Sequence, residues 1–241
     1  MLHALSMPPP RSWPDAPLPP PIDAAGVIAA ARRLKAGLHA GGLAPLLLGR
    51  NLALLCSAPD AAEASPLYRA ATGLGARVAL LRFEDASRAE LRDLSKMLGR
   101  MYDAIDCGAM APALVRQIEQ DAGVPVYAGL DREAHPARAL ADLMTLLERC
   151  PPSPPAPSIA FRGDPHGSRA CAFLAGARQL GFVVHAGDES DAAEPPTFRV
   201  DASQPACWTF RMPSAPPQDG GWAENHRLVL QAVLIGSIVR A

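Results

Sequence analysis

Short apolar runs alternate along this chain with segments of helical period. Leu52–Cys56 (LALLC) is an apolar run of strand length ended by Pro59, and Val78–Leu81 is a second such run. Between them Asp60 opens a helix-like segment with Glu63 three residues on, the acidic form of a capping box, and Gly73 and Gly75 stop it. The stretch Leu52–Leu81 therefore predicts strand, turn, helix and strand. A strand that turns directly into a helix N-terminus leaves free backbone N–H groups at the turn, and anions bind well there. Here the helix end carries two carboxylates of its own, and their favoured reading is a cap on those N–H groups.

The same alternation continues on both sides. A helix is predicted over Asp23–Ala40, with Asp23 as cap and Ile28, Ala31, Leu34 and Leu38 as its apolar stripe. Ser87-x-x-Glu90 is a capping box for a helix to Met101, Asp103–Cys107 a strand, and Pro112–Ala122 a helix. Val124–Tyr127 is a strand, and His135-Pro136 leads into a helix over Ala137–Glu148. Strands alternating with helices predict an α/β fold with a parallel sheet covered on both faces. The proline-rich Cys150–Pro157 (CPPSPPAP) marks a stiff break. Beyond it, strands are expected at Ile159–Arg162, Phe182–His185, Phe198–Val200 and Cys207–Met212, and helices at Gly167–Leu180 and Trp222–Val239. Gly187–Pro196 is an acidic connection. The organisation read from this pattern is a proline-rich tail (1–21), a first α/β domain (22–150), a linker (151–157) and a smaller second domain (158–241).

Composition narrows the partners. The chain has 241 residues, 49% of them hydrophobic and 20% charged, so one large or two small cores can form. A net charge of −1 and 5% aromatic content argue against nucleic acid and anionic membrane as partners. The five cysteines are scattered without a C-x-x-C pair, which fits a reducing compartment. The N-terminus lacks the charged start and unbroken apolar core of a signal peptide, and no apolar run reaches about 18 residues. The expected location is the cytoplasm. His166, His185, Cys207 and His226 lack metal-ligand spacing, so neither metal nor other cofactor is expected.

Several phrases carry a resemblance. His135–Leu146 (HPARALADLMTL) is similar to the His-Pro-x-Gln-Ala-Leu-Ala-Asp-Leu signature of the aspartate/ornithine carbamoyltransferase family. Val124–Leu130 and Tyr102–Ile105 fall where that family has similar phrases. Phe161-Arg-Gly-Asp164 resembles the strand and Gly-Asp turn of its amino-acid domain, and Trp222-Ala-Glu-Asn-His226 its Glu-Ala-Glu-Asn-Arg. The resemblance covers residues 22–150 and the rest in pieces. It implies two doubly wound, Rossmann-like parallel-sheet domains, the second one reduced, and a trimer with active sites between subunits.

The family's ligands do not carry over. Where the family holds carbamoyl phosphate with Ser-Thr-Arg-Thr-Arg, this chain has Asp60-Ala61-Ala62-Glu63-Ala64, two arginines exchanged for two carboxylates. A further family arginine falls on Gly108, the signature Gln on Arg138, and the last Arg on His226. Only His135 stands where the family has a ligand to the carbamoyl group. Like charges about 4 Å apart cost about 1 kcal/mol in water and about 4 kcal/mol at an effective dielectric near 20. A phosphate facing Asp60 and Glu63 meets that cost more than once and loses bidentate guanidinium bonds. The expectation is a catalytically inactive homologue with a structural, regulatory or small-ligand-binding role in amino-acid metabolism, working as a homotrimer or in a hetero-assembly. The alternatives are a divergent transferase acting on an amino acid or related amine through His135 and Arg138, and a pure partner protein with a vestigial cleft. The site candidates for an anionic or amino-acid ligand are His135, Arg138, Asp60, Glu63, Asp164 and His226. His135 is also read as a helix-start residue with a local hydrogen bond, and Arg138 as a solvated or inter-subunit residue.

Overall fold

The computed structural model describes residues 23–42, 44–57, 65–83, 88–150, 156–186, 196–205, 207–212 and 221–239. Helix α1 (Ala24–His39) is capped by Asp23, whose carboxylate accepts from Gly26 N at 2.8 Å. Strands β1 (Asn51–Cys56), β2 (Arg77–Arg82), β3 (Ala104–Asp106) and β4 (Val126–Tyr127) form a parallel sheet in the order β2-β1-β3-β4. Helices α2 (Pro66–Gly73), α3 (Arg88–Met101), α4 (Pro112–Ala122) and α5 (Pro136–Arg149) alternate with them. In β1, Leu52, Ala53, Leu54 and Leu55 are all buried. A central parallel strand is covered on both sides, which is why it is a continuous apolar run rather than an alternating one. The two sides separate into two clusters: Leu52 and Leu54 join Leu67, Ala70 and Ala104, while Ala53 and Leu55 join Leu91, Leu98, Ile105 and Ile118.

The second sheet contains β5 (Ser158–Gly163), β6 (Val183–Ala186), β7 (Phe198–Ala202) and β8 (Thr209–Arg211) in the order β6-β5-β7-β8, with α6 (Ser168–Gln179) between β5 and β6. It departs from an all-parallel sheet at one edge, where β8 pairs antiparallel with β7. The short Ser203–Trp208 connection is the reason, since a parallel return needs a crossover of roughly a dozen residues. Helix α7 (Trp222–Ile238) follows this sheet in the chain but packs against α1, α2 and α5. Its Gln231 Nε2 donates to Ala70 O at 3.2 Å, and its Asn225 joins Lys35 and Glu148 in one polar network. Both sheets and α7 therefore share one large core.

Residues 1–21, Asp60, Glu63, Ser87 and most of the 151–157 and 187–196 segments lie outside the described residues. The readings made on them have no structural counterpart here.

Candidate functional site

In the first sheet the strand order turns around between β1 and β3, and the crevice at the carboxyl ends of such strands is where open α/β sheets hold ligands. The loops there are held by Asp106 at the end of β3. Its carboxylate accepts from Gly108 N at 3.0 Å, Gly129 N at 3.1 Å and Leu130 N at 2.9 Å. Burial pushes this carboxyl up to about 6, against the pull of those three amides.

Gly108, where the resemblance expects a family arginine, has φ +53°, and a Cβ there would lie 2.8 Å from Leu55 O. The backbone that lets Asp106 hold this loop leaves no place for a side chain at 108.

The helix end at the crevice is taken by groups of this chain. Ser65 caps α2, its Oγ accepting from Tyr68 N at 3.1 Å. Pro66 has no N–H, Leu67 N donates to Asp131 Oδ2 at 3.4 Å, and Arg69 N donates to Ser65 O at 3.2 Å. Each early amide of α2 is thus absent or engaged. Ser65 and Asp131 were not among the candidates; Ser65 before Pro66 is a readable cap signal, while Asp131 reaches α2 only through the fold.

His135, Arg138 and His226 come together beside this crevice. His135 caps α5, with Nδ1 accepting from Ala137 N at 3.1 Å, so a neutral ring carries its proton on Nε2. Burial takes its pKa down to about 4, with Asp131 pulling the other way. Arg138 is half-buried rather than solvated. Its Nη1 lies 3.3 Å from His226 Nδ1 and 3.4 Å from Glu133 Oε1, and its Nε lies 3.5 Å from Asp142 Oδ1. The i,i+4 spacing of Arg138 and Asp142 on α5 brings that pair together, and the closeness of α7 supplies His226.

Two further residues complete the cluster. Arg169 at the start of α6 is buried and donates to Asp142 Oδ2 from Nη2 at 2.8 Å and from Nε at 3.3 Å. Its Nη1 reaches Glu133 Oε2 at 2.9 Å, and its guanidinium stacks on Trp208, 4.2 Å from the ring centroid. Two arginines and two carboxylates leave the cluster formally neutral. Burial raises Asp142 to about 6 while both guanidinium groups pull it down. A guanidinium can only donate, so His226 Nδ1 accepts from Arg138 and the neutral ring carries its proton on Nε2. Burial first, then the charges of Arg138 and Arg169, bring His226 down to about 4. Its buried Nε2 has no hydrogen-bond partner among the described residues. Asp164 is exposed in the turn after β5, with Oδ1 accepting from His166 N at 2.9 Å, and none of its recorded bonds reaches this cluster.

Asp142 lies inside the recognisable signature phrase, but its role as the shared partner of two arginines depends on Arg169, which sequence reading passed over. Among the described residues no helix is long and apolar enough to cross a membrane.

A doubly wound parallel sheet followed by a second, mixed sheet defines a two-sheet α/β protein. The chain belongs to the aspartate/ornithine carbamoyltransferase family: that family's carbamoyl-P binding domain matches residues 21–148. A catabolic ornithine carbamoyltransferase from Burkholderia mallei is 32% identical over 160 residues, covering 65% of this chain and 48% of that protein. An ornithine carbamoyltransferase from Actinobacillus pleuropneumoniae is 31% identical, covering 64% and 47%. The chain thus spans about half the length of the curated relatives it matches. The fold is shared with the crystal structure of a mitochondrial ornithine carbamoyltransferase from Coccidioides immitis, with a TM-score of 0.64, 16% identity, and 90% of this chain and 94% of that one covered.

Proposed function

We propose that this chain is a carbamoyltransferase homologue without carbamoyl transfer activity, serving as a structural, regulatory or small-ligand-binding protein in amino-acid metabolism. The relatives named above are ornithine carbamoyltransferases, and their substrates are the reference against which the site is judged. One observation carries the reading: the charges and helix-end donors of the crevice are already spent on one another. Asp131 and Ser65 hold the α2 amides, and Arg138 and Arg169 are matched by Glu133 and Asp142. A doubly charged phosphate entering here has to displace a carboxylate before it meets these donors, since Arg138 and Arg169 are already matched. The test is incubation with carbamoyl phosphate and either ornithine or aspartate. The expected result is no citrulline or carbamoyl-aspartate above the blank and no saturable heat with carbamoyl phosphate; product above the blank overturns the reading.

A second reading, a divergent transferase acting on an amino acid or related amine, draws on the two neutral imidazoles. His135 and His226 each keep an Nε2–H donor when neutral, and such donors suit a neutral carbonyl better than a phosphate. For that reading His135→Ala has to abolish a measured turnover, and an unchanged rate ends it. A cytoplasmic setting, a trimeric or hetero-oligomeric assembly, and the division at 22–150 and 158–241 belong to the same proposal. Light scattering that finds a monomer removes the assembly from it.

A further inference from the structure

Glu133 stands between two guanidinium groups and gives one oxygen to each. Its Oε2 lies 2.9 Å from Arg169 Nη1, and its Oε1 lies 3.4 Å from Arg138 Nη1. The two arginines belong to different helices, α6 and α5. A carboxylate that bridges two guanidinium groups in this way fills a seat that another carboxylate of the same shape also fits.

The two acids of the cluster hold their arginines differently. The Asp142 side chain is 1% exposed and accepts twice from Arg169, so it is part of the wall of the seat. The Glu133 side chain is 47% exposed and meets each guanidinium with a single oxygen. The chain around it is pinned: Arg132 N donates to Gly129 O at 3.1 Å, His135 N donates to Arg132 O at 2.9 Å, and Asp106 holds the amides of Gly129 and Leu130. Of the two acids, Glu133 is therefore the one that leaves at low cost, by rotation of its side chain with the loop in place. Once it has left, the two guanidinium charges against the one carboxylate of Asp142 leave a net +1. A monocarboxylate balances that charge, and a doubly charged phosphate overshoots it. Trp208 stacked on Arg169 keeps the guanidinium plane fixed meanwhile. A second unmet need lies in the same cluster, where the almost wholly buried His226 keeps an Nε2–H without an acceptor.

We infer that Glu133 is an autoinhibitory carboxylate, a tethered occupant of a two-arginine seat whose external ligand is a small monocarboxylate. The inference rests on the small-ligand-binding reading proposed above. Because Glu133 is tethered beside the seat, it competes at a high effective concentration. An external carboxylate meets only the fraction of molecules in which Glu133 has swung out, and its apparent affinity falls by that fraction.

The test uses acetate as the minimal carboxylate, titrated calorimetrically into the full chain at constant ionic strength. Glu133→Ala should bind acetate at least about ten-fold more tightly than wild type, the change expected when Glu133 fills the seat about nine-tenths of the time. Adding Arg138→Gln to that variant should abolish the gain, and phosphate should bind Glu133→Ala more weakly than acetate does. Equal acetate affinity in wild type and Glu133→Ala overturns the inference. So does a gain that survives Arg138→Gln, or a preference for phosphate. Should Glu133→Ala fail to fold, Glu133→Gln keeps the shape and removes the charge, and the same comparison decides. The transfer assay fails separately. A chain that makes no product, and whose Glu133→Ala variant ignores acetate, keeps the proposed function and loses this inference; product above the blank removes the proposed function whatever acetate does.

Discussion

Two buried aspartates, Asp106 and Asp142, are both pushed up to about 6 by burial, and they solve that problem with different partners. Asp106 is held by three backbone amides from two loops, Asp142 by two guanidinium groups from α5 and α6. Amides are neutral and fixed by the chain path, so Asp106 serves the fold whatever the surrounding side chains are. Guanidinium groups bring charge with them, so Asp142 also sets the charge balance of the cluster beside the crevice. The loop anchor is thus a matter of backbone, while Arg138 and Arg169 are neutralised by side chains.

The largest test of that contrast is Asp142→Ala. It leaves buried Arg169 without its main partner and is expected to lower stability by about 3–5 kcal/mol in denaturant titration. A loss near that of a surface mutation would mean that Glu133 alone suffices. Asp106→Ala comes next, at about 2–3 kcal/mol, since three amides lose their acceptor and their loops can turn partly to water. A cost above that of Asp142→Ala would reverse the ranking.

The pH profile sharpens the same comparison. An acid raised from 3.8 to about 6 on folding stabilises at low pH and loses that contribution as pH rises through about 6. A histidine lowered from 6.5 to about 4 does the reverse, contributing above 6.5 and losing it as pH falls through about 4. The two aspartates and two histidines oppose one another over the same window, so wild-type stability should vary little between pH 4 and 6.5 on their account. His226→Gln removes one opposing group, and thermal melts should then show stability falling as pH rises from 4 to 6, by on the order of 2 kcal/mol. A profile parallel to wild type would mean that His226 is not held neutral.

The smallest effect is expected far from both aspartates. Lys35→Met removes the 2.9 Å pair with Glu148, which is partly exposed, and should cost about 1 kcal/mol or less with the crevice untouched. A larger loss would show that the network through Asn225 transmits the position of α7 to α5.

Much of the fold was legible from local pattern. The apolar run of β1, the stripe of α1 and the His-Pro start of α5 depend on neighbours in sequence, and each element lies within a few residues of its expected place. One departure has a local cause as well: β8 turns antiparallel because its connection is short. The cap role of His135 was readable because Pro at the first helical position and a polar residue before it form a local signal.

The sequence by itself determined the order of strands and helices and the family resemblance, because both are written in short stretches. Only the tertiary structure decided what became of the cations that remain. Arg138 meets His226 across 88 residues of chain, and Asp142 meets Arg169 across 27. No periodicity specifies such pairs. They follow from α5, α6 and α7 converging on one core, where a buried charge is tolerated only beside its opposite.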